Sequence, residues 1–177
     1  MPAVVFPQEI NYNSGIVFTN NSNLIFGTQD IVLPVYPNNL KCPTAGIKRS
    51  FWKSICLNFT STFTSVTNIK LYSSGGIMGT GVNLYIGDQS LLTSSQYIAP
   101  TGIIGDTGNA MVGNHTYITS KTNFLSYVAS SMKTVDSGIY YSAFRSKHAV
   151  LQIEIDTTLS DLGALTNKIF TWVWDEI

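Results

Sequence analysis

Side-chain alternation constrains this chain more than any other feature. Ile55, Leu57 and Phe59 are apolar with Cys56 and Asn58 between them, and Leu151, Ile153 and Ile155 recur with Gln152 and Glu154 between. A period of two is what a strand requires, because successive side chains point to opposite faces of a sheet. Phe170, Trp172 and Trp174 form a third such stripe near the end of the chain. The segments between are polar: 19 Ser, 19 Thr and 14 Asn fill 52 of 177 positions, and strong helix formers are scarce. Thr suits strands, while Ser and Asn suit turns. The expected class is all-β, an antiparallel β-sandwich or jelly roll with an extended N-terminal arm. Residues 1–15 read as that arm, carrying two prolines and the apolar patch Val4, Val5 and Phe6, and residues 16–177 as one β-sandwich domain. A chain this long buries roughly 70% of its unfolded surface, so neither metal nor disulfide is needed to hold it.

Within the domain, Val66–Tyr72 and Val82–Ile86 read as the arms of a hairpin, and Gly138–Phe144 as a further strand. Pro34 and Pro37 confine Ile31–Tyr36 to an edge strand or a loop. Residues 122–132 suit a short helix or a strand, Gly87–Thr116 suits long loops of the kind that carry binding, and Asp156–Asn167 suits a loop.

Charged residues make up only 11% of the chain, against about 25% in typical domains. Low charge with abundant Ser, Thr and Asn is common in secreted β-proteins and in particle subunits that mostly contact other protein. The net charge is zero, which argues against coating nucleic acid through its phosphates. Lys41, Lys48, Arg49 and Lys53 form a local basic group that reads as a solvated strand edge. Its functional alternative is a contact for an acidic patch on a partner protein. No apolar run is long enough to span a bilayer, and the N-terminus lacks the basic and apolar regions of a signal peptide, so no membrane partner is expected. Cys42 and Cys56 read as free thiols, with Cys56 a small core residue, or else as a disulfide pair. Neither a CxxC pair nor a His/Cys cluster is present, so no metal or other cofactor is expected.

Catalytic motifs are missing from the sequence. His115 and His148 lie in different segments with no GxSxG nearby. Glu154 and Asp156 share a strand face opposite the Leu151, Ile153 and Ile155 stripe, so that pair reads as solvated. The glycine-rich stretch 102–109 lacks the Lys-Ser/Thr of a phosphate loop. No enzyme is expected. Tyr97 and Tyr117 flank the loop-rich middle region and are the candidates for an exposed aromatic platform, with a glycan as its ligand.

Two stretches carry resemblances. Asp136-Ser137-Gly138-Ile139-Tyr140-Tyr141-Ser142-Ala143 looks like the immunoglobulin signature that joins a tyrosine corner to a cysteine. Ser142 stands where that cysteine would be, so the pattern supports a turn followed by an inner strand and not family membership. Over about residues 66–177, Gly79-Thr-Gly-Val-Asn-Leu-Tyr-Ile-Gly87, Gly138–Arg145, Leu151–Asp156 and the ending Phe170-Thr-Trp-Val-Trp-Asp-Glu-Ile177 resemble β-sandwich virion proteins of tailed bacteriophages and archaeal viruses. Such proteins include capsid decoration, head-fibre and tail or baseplate subunits. The resemblance implies a non-enzymatic part of a virion, assembled in the host cytoplasm, a homo-oligomer holding neighbouring capsid or tail subunits together. Val4, Val5 and Phe6 would then dock on a neighbour's sheet edge, and removing residues 1–10 would weaken assembly but leave the domain folded. The competing expectation is a carbohydrate-binding or adhesin-type module.

Overall fold

The computed structural model describes residues 2–12, 15–31, 40–75, 78–88, 93–158 and 168–177. Its strands in chain order are β1 (Val5–Tyr12), β2 (Ile16–Asn20), β3 (Ile47–Arg49), β4 (Lys53–Phe59), β5 (Val66–Ser74), β6 (Val82–Gly87), β7 (Gly102–Ile103), β8 (Thr107–Gly108), β9 (Lys121–Asn123), β10 (Lys133–Asp136), β11 (Phe144–Arg145), β12 (Ala149–Asp156) and β13 (Ile169–Glu176). The large sheet runs β2-β1-β4-β12-β6-β9, with β11 added to β4 and β3 added to β12, and every pairing is antiparallel. The small sheet runs β10-β5-β13. The two sheets pack face to face, as expected for a β-sandwich. Ile55, Leu84, Ile86, Ala149 and Leu151 of the large sheet meet Leu71 and Val135 of the small one, and Leu57 and Phe59 meet Val66 and Ile69. On β5, Asn68 takes a left-handed backbone (φ 53°) and adds a residue out of step, so that Val66, Ile69 and Leu71 all face inward.

A third layer covers the outer face of the large sheet. The segment from Ser94 to Ile118 carries a short 3-10 turn (Ser94–Gln96), the β7-β8 hairpin and a tight turn at Met111–Asn114, where Val112 is extended and Gly113 takes a positive φ. From it Met111 and Ile118 pack on Trp52 and Val150, while Tyr97 packs on Ile10 and Cys56. This layer corrects the expected wet face of β12. Gln152 and Glu154 are buried, because the alternation puts them on a face that protein covers. Gln152 makes full use of its amide there. Its Oε1 accepts from the Met111 N–H (2.9 Å), and its Nε2 donates to the Ser50 and Asn109 carbonyls (2.8 and 2.7 Å).

Other expectations are redrawn by long-range pairing. β5 and β6 are not a hairpin, since β5 belongs to the small sheet and β6 pairs with β12 and β9. The residues between them include 76 and 77, which lie outside the described set. Residues 138–143 form a turn with a single bridge, Val66 to Tyr140, and only Phe144 joins a strand, β11. Residues 121–131 hold β9, a 3-10 turn at Phe124–Ser126 and a bridge between Val128 and Ser131. Most of the Ile31–Tyr36 segment and of the 156–167 loop also falls outside the described residues. The N-terminal segment is extended as expected, but its β1 is paired on both sides within its own chain, between β2 and β4. Glu9 and Ile10 are buried there. Removing residues 1–10 would take out an internal strand, so the folded truncation expected above is not supported.

Candidate functional site

The small sheet is too narrow to cover the whole inner face of the large one. Ile153 shows the consequence. Its neighbours Leu151 and Ile155 on the central strand β12 are buried, yet Ile153 is only half-buried. Over it lies an open cleft of about 820 Å3 between the sheets. Ile55, Leu84 and Ile153 line its floor, Phe170 and Trp172 of β13 form one wall, and Leu24 and Phe26 line it from the segment after β2. Polar groups at its border are Gln8, Asn21, Asn23 and Lys168, whose ammonium donates to the Gly75 carbonyl at 2.7 Å. The volume is within the usual range for small-molecule sites, and an apolar floor with a few polar groups at the border suits them.

Glu9 reaches the cleft lining from a buried polar cluster. Its Oε1 accepts from Lys53 Nζ (2.6 Å) and from Asn11 Nδ2 (3.0 Å), and its Oε2 from Asn21 Nδ2 (2.8 Å). Lys53 also donates to the Ile31 carbonyl. Asp30 accepts from Asn11 Nδ2 (3.1 Å), the Tyr12 N–H (3.0 Å) and Tyr97 Oη (2.8 Å). Burial, with the Asp30 charge and hydrogen bond behind it, pushes the Tyr97 phenol far above its ordinary value, so it stays a neutral donor.

The docking residues expected from the sequence do not meet at one place. Val4 is exposed and Phe6 is partly so, at the start of β1, but Val5 packs into the cluster around Phe59. Lys48 is paired with Asp106, and Arg49 with Glu154 at 2.6 Å, so neither is a free surface cation. Lys53 is wholly buried against Glu9, which corrects the reading of a uniformly solvated basic edge. Tyr97 is only 7% exposed and belongs to the outer-layer core. It was expected at the surface because flanking turns hide which side of a loop faces the sheet. Tyr117 is 39% exposed, beside His115 at 6.3 Å between ring centroids.

Both cysteines are free, Cys42 exposed and Cys56 buried, and burial pushes the Cys56 thiol up to about 12, which keeps it protonated. Burial pushes His115 down to about 4. Its ring stands edge-on to Trp52. Among the described residues no group of three or more His, Cys, Asp or Glu side chains is placed to hold a metal.

The cleft residues were missed because Phe170 and Trp172 read as core and Asn21 and Asn23 as turn. The one sequence feature that reaches the cleft is the Phe170, Trp172, Trp174 stripe, of which Phe170 and Trp172 line it while Trp174 packs on Phe59. Comparison of the chain with protein-family models, curated proteins and solved structures finds no match.

Proposed function

We propose that this chain is a non-enzymatic structural component of a virus particle, a capsid-decoration or head or tail accessory subunit that joins neighbouring subunits. The observation that carries the reading is the edge of the large sheet. β2 ends that sheet, and its sequence Ile-Val-Phe-Thr-Asn holds neither charge nor proline. Ile16 and Val17 are exposed on it, with Tyr12 and Phe6 exposed on adjacent β1. Monomeric proteins blunt such an edge with lysine, proline or a bulge, because its unpaired N–H and C=O groups template further pairing. Among the described residues no further strand pairs with β2, and an apolar edge of this kind suits strand addition by a like subunit or a virion neighbour. The low charge of the chain and the resemblance of its second half to virion β-sandwich proteins point in the same direction.

The test is mass-spectrometric quantification of the chain in purified particles. A fixed ratio to the major shell protein supports the reading, and absence from the particles overturns it.

The cleft favours one other reading, a carbohydrate-binding or adhesin-type module. A sugar ring would stack on Trp172 and take hydrogen bonds from Asn21, Asn23 and Gln8 at the border. Glycan-array binding that disappears in Trp172→Ala would support it, and a blank array would remove it.

A further inference from the structure

The buried cluster beside the cleft is arranged as more than a salt bridge. Lys53 Nζ and Glu9 are 0% and 1% exposed at their side chains, and Asn11 is 5% exposed. Glu9 and Asn11 are two apart on β1 and therefore share a face. Ile10 and Ser54 are paired across β1 and β4, and Asn11 and Lys53 stand one step further along the two strands. The result is that one oxygen, Glu9 Oε1, is shared by the Lys53 amine and the Asn11 amide nitrogen, at 2.6 and 3.0 Å. The Asn11 carbonyl oxygen is buried with no hydrogen-bond partner, so no donor ties the amide from that side.

We infer that Lys53 and Asn11 form an intramolecular isopeptide bond, with Glu9 as the proton shuttle. Water is excluded from the pair, and two buried charges are relieved when the Lys53 proton passes to Glu9. That transfer leaves a neutral amine, which is the nucleophile. Its nitrogen attacks Cγ of Asn11 and forms the new C–N bond. Glu9 delivers its proton to Nδ2, the Cγ–Nδ2 bond breaks, and ammonia leaves. Glu9 then takes the surplus proton from the former lysine nitrogen and passes it to the ammonia. The carboxylate is regenerated, and the positive charge of Lys53 departs as ammonium. No oxidant, metal or cofactor enters the balance. The contribution of the fold is proximity, since β1 and β4 hold nucleophile, amide and shuttle in one dry place. The bond would fasten the N-terminal strand covalently to the centre of the large sheet.

The experiment is intact-mass measurement of the folded full chain after denaturation, followed by peptide mapping. The expected result is a mass lower than that of the sequence by one ammonia, with a branched peptide joining the segments around Asn11 and Lys53. Lys53→Arg keeps a cation against Glu9 and should restore the full mass. A loss of ammonia that persists in Lys53→Arg would assign it to asparagine cyclisation and overturn the proposal. Asn11→Asp should change the loss from one ammonia to one water. Circular dichroism and a cooperative melt establish that each variant is folded. A folded wild-type chain that keeps its full sequence mass after prolonged incubation leaves Lys53 and Glu9 as a structural ion pair only and refutes the cross-link.

Discussion

Replacing Gln152 with leucine tests whether the outer layer is clamped to the sheet from within. The residue is 0% exposed and makes three hydrogen bonds of 2.7–2.9 Å, one to Met111 and two to the carbonyls of Ser50 and Asn109. Leucine is close in volume, so the change leaves little cavity and isolates the polar contribution. Each bond contributes about 1 kcal/mol net, and each buried partner left unpaired costs about 1–3 kcal/mol. Because some of these partners regain water when the layer loosens, the expected loss is about 3–5 kcal/mol. For a domain of this size that lowers Tm by roughly 6–20 °C. Urea denaturation should show a lower midpoint at unchanged slope, the mark of a stability change without a change in the surface exposed. Amide exchange should rise selectively in Asn109–His115, the stretch that Gln152 holds. A loss under about 1 kcal/mol, or one with no added exchange in that stretch, would refute the clamp.

The remaining predictions concern other points of the architecture. Asp136 is buried and accepts from the Gly138 N–H (2.9 Å), the Lys147 N–H (2.9 Å) and Tyr140 Oη (2.8 Å). Asp136→Ala should therefore cost about 3–5 kcal/mol in chemical denaturation, and Tyr140→Phe only about 1 kcal/mol; equal losses would count against this reading of the turn. Removing residues 1–10 should abolish the cooperative unfolding transition, since it deletes most of an internal strand. A sharp melt of the truncated chain would show that β1 is dispensable. His115 sits at about 4 in the folded protein against an ordinary 6.5, so the unfolded chain binds the extra proton first. Stability should fall as pH drops from 6.5 to about 4 and level off below, and His115→Phe should flatten that part of the profile. Burial alone would raise Glu154, but the hydrogen bonds from Lys121 and Arg49 outweigh it and hold its carboxyl below the ordinary 4.5. Its contribution is present above 4.5 and is lost as pH falls through the lowered folded value, so Glu154→Gln should be less sensitive to acid in that range.

Much of the fold is legible in local patterns. The alternation at 55–59, 149–155 and 170–174 marks real strands, since the two-residue period is a property of the backbone and needs no partner to appear. The turn at Asp136–Tyr140 was legible for a similar reason. An aspartate two residues before a glycine can accept that glycine's N–H, and here it does. The alternation of β12 also separates Gln152 and Glu154 from the apolar stripe, but a period of two says only that two faces differ. Whether the second face meets water depends on a segment forty residues away, and polarity is not exposure when Gln152 finds three partners inside. Strand pairing was equally out of reach. Adjacent stripes such as β5 and β6 look like a hairpin, whereas the energy that sends them to different sheets comes from Leu71 and Val135 on one side and the β12 ladder on the other. The cleft and the Lys53, Glu9, Asn11 cluster belong to this second class. The cleft is made of residues that read as core or turn in sequence and the cluster of residues that read as arm or solvated charge, and they come together only where β1, β4 and the segment from Asn21 to Ile31 close over one another. Short-range sterics and side-chain period are carried by neighbouring residues, so they can be read along the chain. Burial and proximity are sums over distant ones, and they exist only once the sheets have packed.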